Sequence, residues 1–285
     1  MGGASPSAPG LVISALGGLS LSLSGRPVTG LVSRRTEALL VYLACARQPQ
    51  SREALAGLLW DEHPQTQASG NFRVVVNSLR RSLGPFIEVD RHSITFNYAS
   101  TFTFDAADFE STARAARRDP RNPDRQLLFR AAGLYRGDFL AGFSLPDGRR
   151  FEEWLLLERE RLQRLMVETL DALAGAAERD GHYRAGIDIA TRLLRMDSLR
   201  ETTHRRLMRL LTLAGERQAA LAQYAACRDV LWAELGVEPD PETRALAERI
   251  RARGGEAAHP WVSPRPAPAE VVTGDAVLAP SAYFC

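Results

Sequence analysis

The stretch Gln67-Ala-Ser-Gly-Asn-Phe-Arg-Val-Val-Val-Asn-Ser-Leu-Arg-Arg-Ser-Leu83 decides how this chain is read. With an advance of about 100° per residue, Phe72, Val75, Val76, Leu79 and Leu83 all fall within about 60° of Phe72. Those residues make a core face, so the stretch predicts a helix. The opposite side carries Asn71, Arg73, Val74, Asn77, Ser78, Arg80 and Arg81, with no acid among them. Arginine suits guanine edges, asparagine suits adenine, and both bind phosphates. A basic face can also be merely solvated, so the neighbouring segments have to decide.

After the helix comes Phe86 to Tyr98, where Ile87, Val89, Ile94 and Phe96 alternate with polar residues around Asp90-Arg91-His92-Ser93. That pattern is a hairpin. Before the helix, residues 53–60 form a shorter one with Leu55, Leu58, Leu59 and Trp60 turned inward, Ser51 as its N-cap and Asp61 to Thr66 as the turn that follows. Arg34 to Ala46 is another helix, with Ala38, Leu39, Tyr42, Leu43 and Ala46 on one side and Pro49 ending it. Ahead of that, the alternating Leu/Ser run from Leu11 to Leu23 predicts two short strands joined near Gly17–Gly18. A turn around Gly25-Arg26-Pro27 follows, and Val28 to Val32 is expected as a third strand.

The order is small sheet, helix, helix, loop, Arg-bearing helix, hairpin. It makes a winged helix-turn-helix over residues 11–104, with the hairpin as the wing. Arg91 and His92 at the wing tip suit a minor groove or backbone phosphates. The candidate DNA-binding set is therefore Asn71, Arg73, Val74, Asn77, Ser78, Arg80, Arg81, Arg91 and His92, with Arg34 and Arg35 from the first helix.

Residues 99–107 read as a connector, and beyond it the composition changes. Helices are expected at 107–117, 123–135, 152–180, 182–196, 199–214, 216–235 and 240–253. Gly181-His-Tyr-Arg-Ala and Gly215-Glu-Arg-Gln-Ala lie 34 residues apart, with Ala185 matched to Ala219. A period of 34 in helix–turn–helix units is the tetratricopeptide signature. The small residue is expected to keep paired helices close, with residues 152–180 and the last helix as flanking layers. An irregular helical bundle is the alternative. The fold class is thus mainly α: an α+β winged helix followed by an all-α, tetratricopeptide-like domain over 105–253. Residues 1–10 and 254–285 are small and Pro-rich and are expected to be disordered.

All 36 basic residues are arginine, and the formal net charge is +2. Residues 1–104 hold nine Arg against six acids, whereas the remainder holds 27 Arg against 28 acids, so an anion-binding role belongs in the first part. Cys45, Cys227 and Cys285 are far apart and form no metal-ligand spacing. The five histidines (His63, His92, His182, His204 and His259) are scattered, and no local Ser/His/Asp constellation is present. No enzyme activity, metal or cofactor is expected. Neither a secretion signal nor a run of ~18 apolar residues occurs, which points to the cytoplasm and away from membranes.

Ser33-Arg-Arg-Thr-Glu-Ala-Leu-Leu-Val-Tyr-Leu-Ala, Glu53-Ala-Leu-Ala-Gly-Leu-Leu-Trp-Asp and Leu79-Arg-Arg-Ser-Leu-Gly resemble the OmpR-type winged helix of the Streptomyces antibiotic regulatory proteins. Tyr135-Arg-Gly-Asp-Phe-Leu, Phe151-Glu-Glu-Trp, Glu158-Arg-Glu-Arg-Leu and Trp232-Ala-Glu-Leu-Gly-Val-Glu-Pro-Asp-Pro-Glu-Thr resemble the bacterial transcriptional activation domain of the same family. The resemblance spans roughly residues 10–253. It implies a transcriptional activator, in families of this kind a regulator of secondary metabolism. Such a protein binds direct repeats in double-stranded DNA near promoters as a homodimer and engages RNA polymerase. Gly70-Asn-Phe-Arg departs from the commoner start of the recognition helix, which bears on the bases read. With no receiver domain ahead of the winged helix, phosphoryl control in cis is not expected. With no lysine, a P-loop ATPase module within this stretch is not expected either. A natural small form and a truncation of a larger regulator both fit. A pure interaction scaffold is the rival reading, opposed by the acid-free face of residues 67–83.

Overall fold

The computed structural model of the chain describes residues 10–31, 33–119 and 122–252. The expectations for residues 1–9 and for the tail from 254 onward lie outside the described residues. Gly10 was expected in a disordered segment but is held in place, because Ser24 N–H donates to its carbonyl at 2.7 Å.

Strands β1 (Leu11–Ser14) and β2 (Ser20–Leu23) pair antiparallel, with Leu11, Ile13 and Leu21 buried beneath them. The third strand, β3, is Arg26–Pro27 rather than Val28 to Val32. Ser24 and Gly25 both take positive φ, 49° and 78°. That is the two-residue hairpin turn whose twist matches the strands, so the chain is already returning at Arg26. Val28 N–H adds one more bond to the Leu21 carbonyl at 2.9 Å, and residues 28–31 then leave the sheet. Val32 lies outside the described residues.

Helix α1 (Arg34–Ala46) has the expected bounds and ends on Arg47 at φ 54°. A two-residue strand, β4 (Gln50–Ser51), precedes α2 (Arg52–Leu59), and the Ser51 hydroxyl accepts from Ala54 N–H at 3.1 Å as an N-cap. Helix α3 (Gln65–Leu83) begins just after Pro64. Strands β5 (Ile87–Val89) and β6 (Ser93–Phe96) form the expected hairpin, with Ile87 opposite Phe96 and Val89 opposite Ile94. β4 pairs with β6, giving a three-stranded sheet in the order β4-β6-β5. The expected connector contains a strand of its own, β7 (Phe102–Phe104), which lies parallel to β1 and completes the order β3-β2-β1-β7. Two or three residues are too few to display a period, so β4 and β7 left no signal in the sequence.

The rest is helical: α4 (Asp105–Ala116), α5 (Arg125–Leu134), α6 (Arg149–Arg179), α7 (Tyr183–Met196), α8 (Glu201–Leu213), α9 (Arg217–Leu235) and α10 (Pro241–Ala252). The 34-residue repeat is visible in the backbone. Gly181 and Gly215 take φ 73° and 81°. His182 N–H donates to the Ala177 carbonyl at 2.9 Å, and Glu216 N–H donates to the Leu211 carbonyl at 2.8 Å. Each pair is the long bond of a Schellman closure, which only a residue tolerant of left-handed φ permits cheaply. The small residues that let the helices approach are one position later than expected. Ala185 is half-buried and Ala219 exposed, whereas Gly186 and Ala220 are buried. A Cβ at Gly186 would lie 2.9 Å from a Leu210 methyl. Helices α6 and α10 flank the repeat, and Ala190, Leu207, Met208, Leu211, Ala247 and Ile250 fill the interior between α7 and α10.

One hydrophobic core runs from the N-terminal sheet through α1–α3 into α4–α6. Trp154 of α6 lies 5.0 Å from the Tyr42 ring of α1 and 5.2 Å from Phe151. Leu16 bridges to Phe139, and Gly17 N–H donates to the Asp138 carbonyl at 3.1 Å. Here the backbones nearly touch: a Cβ on Gly137 would sit 3.2 Å from Gly17 Cα. The buried Asp105 carboxylate accepts from the backbone N–H of Ala15 at 2.8 Å and of Leu16 at 3.1 Å, and pairs with Arg136 at 3.3 Å. At the other end, Asp61 in the α2–α3 turn accepts from Arg150 N–H at 3.3 Å, satisfying a donor in the first turn of α6. The winged helix and the helical part are therefore welded along a seam.

Candidate nucleic-acid interface

Helix α3 is positioned by its apolar face. Phe72, Val75, Val76, Leu79 and Leu83 are all 5% exposed or less. Trp60, at the end of α2, meets Phe72 edge to face with centroids 6.4 Å apart. That burial of branched and aromatic side chains fixes the rotation of the helix, and so fixes which residues face outward.

Arg73, Val74, Asn77, Arg80 and Arg81 are exposed. No hydrogen bond or ion pair occupies Arg73, Arg80 or Arg81 among the described residues. From Gln65 to Leu83 the helix carries no acid, and Arg80 and Arg81 stand in its last turn. Val74 is 59% exposed, an apolar side chain in the middle of a polar face. Asn71 is half-buried at the edge of that face.

Ser78 does not belong to the outer face. It is 5% exposed. The buried arc is wider on one flank than the apolar pattern shows: it reaches from Val75, at about −60° from Phe72, round to Ser78 at about −120°. A small hydroxyl fits such a closed flank, and only the neighbouring elements reveal the closure.

Arg34 and Arg35 are also placed elsewhere. The Arg34 guanidinium lies over the Phe143 ring at 5.4 Å and donates to the Ser144 carbonyl at 3.4 Å. Arg35 stacks on Trp60 at 5.3 Å and donates to the carbonyls of Leu59 at 3.2 Å and Pro146 at 2.8 Å. Both tie α1 to the loop ahead of α6. The sequence shows two arginines at a helix start, and the partners that claim them lie at the end of α2 and in a loop more than a hundred residues away.

Arg91 and His92 are exposed at the wing tip. Asp90 N–H donates to the Ser93 carbonyl at 2.9 Å and closes the tip. Arg52 N–H donates to the His92 carbonyl at 3.0 Å, tying the wing to the start of α2. The Arg52 side chain lies over the Phe72 ring at 5.8 Å, so a further arginine stands between the wing and α3. Sequence reading missed Arg52, because nothing local distinguishes it from any arginine in a helix's first turn.

Gly70 marks the departure at the start of α3 and lies outside the candidate set. It is exposed inside α3, and a Cβ there would meet no atom within 4 Å. Glycine in a helix interior costs about 0.5–1 kcal/mol relative to alanine, and nothing in the fold requires that cost at Gly70.

Among the described residues, no group of three or more His, Cys, Asp or Glu is placed to hold a metal. Burial holds the Cys45 thiol well above its ordinary range and pushes Cys227 up to about 11, so both thiols are protonated at neutral pH. No helix among the described residues is long and apolar enough to cross a membrane.

Comparison with known proteins follows the same lines. Residues 104–251 match the model of the bacterial transcriptional activator domain. The regulatory protein AfsR of Streptomyces griseus is 31% identical over 235 residues, covering 76% of this chain and 22% of its own length. The chain thus spans about a fifth of that relative. The transcriptional regulatory protein MoaR1 of Mycobacterium tuberculosis is 27% identical over 248 residues, covering 82% of this chain and 77% of its own. Both relatives carry the names of regulatory proteins. Among solved structures, Mycobacterium tuberculosis EmbR in complex with a low-affinity phosphopeptide superposes with a TM-score of 0.67 at 23% identity, covering 86% of this chain and 66% of that one. The shared architecture, a winged helix followed by a helical domain, and the matched helical domain together place this chain in the bacterial transcriptional activator domain family, among the Streptomyces antibiotic regulatory protein-type activators.

Proposed function

We propose that the chain binds double-stranded DNA sequence-specifically, with α3 in the major groove and the β5–β6 wing against the backbone or minor groove. The observation that carries this is the outer face of α3: Arg73, Asn77, Arg80 and Arg81 exposed, unclaimed by the fold and free of acids. Arginines there neutralise phosphates and set the register, while a few side chains read base edges. Each good bidentate pair contributes about 1–3 kcal/mol of discrimination.

A single winged helix of modest charge binds weakly by itself. Two chains on repeated half-sites gain affinity through effective concentration. The reading is therefore a homodimer on direct repeats near promoters, activating transcription through contact of the helical domain with RNA polymerase. The regulatory names of the relatives support this reading, and so does the rigid attachment of the helical domain to the DNA-reading unit.

The test is a double substitution, Arg73→Ala with Asn77→Ala, in the full chain. Both side chains are exposed, so helical content should be unchanged by circular dichroism. Affinity for a duplex selected from random sequence should fall about 30-fold or more. Retention of full affinity by the double variant refutes the assignment of α3 as the recognition helix. Binding of the wild type that does not weaken with added salt argues for the scaffold reading instead.

A further inference from the structure

The centre of the α3 outer face is a narrow strip. Opposite Phe72, within about 60° of one another, stand Gly70, Val74, Asn77 and Arg81. Asn77 and Arg81 have hydrogen-bonding ends, whereas Gly70 and Val74 have none. A lone exposed valine is ordinary on a protein surface, but this one has two further properties. It stands between Gly70 one turn before it and Asn77 one turn after it, on the line of closest approach to anything that meets the helix. The glycine beside it is also not explained by packing, since a Cβ there would meet nothing within 4 Å. A helix with a bare position and an exposed branched apolar side chain on its outermost line is shaped for close approach to a surface with an apolar spot.

The major groove offers such a spot. Among the base edges displayed there, the 5-methyl group of thymine is the apolar one. We propose that Val74 reads a thymine 5-methyl group, and that Gly70 supplies the clearance that lets the helix backbone approach closely enough for the contact. This rests on the reading of α3 as a major-groove helix and adds a base identity to it. Asn77, on the same strip, faces a neighbouring base pair, and Arg81 follows toward the backbone. Gly70-Asn-Phe-Arg-Val74 thus becomes the part of the helix that sets base preference.

The experiment starts from the full chain and a random-sequence duplex library. The tightest-binding duplex is then synthesised with each thymine replaced singly by deoxyuridine, which removes one methyl and leaves every hydrogen bond in place. One replacement should weaken wild-type binding about fourfold, the worth of one buried methyl. The same replacement should leave Val74→Ala unaffected and should still weaken Val74→Ile. Gly70→Ala should bind more weakly while melting at a higher temperature, two readouts that a merely structural glycine would not move in opposite directions.

A selection that enriches no sequence overturns the major-groove reading itself, and this inference with it. An enriched site in which no thymine responds to uracil, or one that responds equally in Val74→Ala, overturns the inference and leaves the reading standing. A Gly70→Ala variant that binds as tightly as the wild type removes the role given to Gly70.

Discussion

Two sets of arginines in this chain have the same chemistry and opposite employment. Arg73, Arg80 and Arg81 on the outer face of α3 are exposed and make no hydrogen bond or ion pair with the described residues. Along the seam, Arg159 of α6 donates to the carbonyls of Phe139 at 2.8 Å, Leu140 at 2.6 Å and Phe143 at 3.2 Å. Arg161, from the same helix, meets Glu110 at 2.5 Å and Glu158 at 2.9 Å. Glu110, 8% exposed, also receives Arg47 at 3.3 Å and Arg114 at 2.6 Å. A seam arginine is held by carbonyls and carboxylates that lose a charged donor without it. An outer-face arginine is hydrated and leaves nothing unpaired when removed. The first kind contributes to folding, and the second is available to a ligand. A charge count over residues 1–104 mixes the two and understates how strongly the free cations are concentrated on α3.

The largest expected effect that would test this contrast is at the seam. Arg159→Ala should lower unfolding free energy by roughly 2–4 kcal/mol, because three carbonyls lose a charged donor. Urea denaturation measures it, and a loss under about 0.5 kcal/mol would break the distinction between the two sets. Asp105→Ala should follow at roughly 1–3 kcal/mol, since two buried amides and an arginine lose their acceptor. In the wild type, a core continuous from the winged helix to α6, with α7 shared between it and the separate cluster of α7–α10, predicts one unfolding transition. Tryptophan fluorescence and far-ultraviolet circular dichroism should therefore give the same midpoint, and two separated midpoints would show that the seam is weaker than drawn.

Ser51→Ala is a smaller perturbation inside the winged helix, expected to cost about 1 kcal/mol through loss of the α2 cap. Thermal melting reads this directly. Smallest in stability is the pair Arg80→Ala with Arg81→Ala, within about 0.5 kcal/mol of the wild type. Its signature is in DNA binding, where the slope of log affinity against log salt should fall by about one for each phosphate contact removed. A stability loss comparable to that of Arg159→Ala would place these arginines in the seam class after all.

Long periodic elements were legible in the sequence. The α3 face, the α1 pattern and the Schellman glycines at Gly181 and Gly215 all appeared in the chain as residues at helical spacing or as glycine after an apolar run. The candidate site was legible in part. Arg73, Val74, Asn77, Arg80 and Arg81 face outward as the helical period requires. Ser78 does not, because a helical wheel measures angle from the apolar centre and not the reach of neighbouring elements. Arg34 and Arg35 looked like spare cations, and their acceptors at Ser144 and Pro146 are invisible to any local pattern. Arg52 stays hidden for the complementary reason, since it gains its interest from the wing, and Gly70 is legible as a departure while the absence of any packing against it is not.

By itself, then, the sequence determined the element order, the rotation of α3 to within one flank and the 34-residue helical repeat. These follow from local periods and turn chemistry, which act over a few residues. Tertiary structure alone decided which arginines are free, that β4 and β7 are strands, and that the winged helix and α4–α6 share one core. Each of those depends on groups brought together from distant parts of the chain, where burial and hydrogen-bond satisfaction are settled by contact and not by spacing.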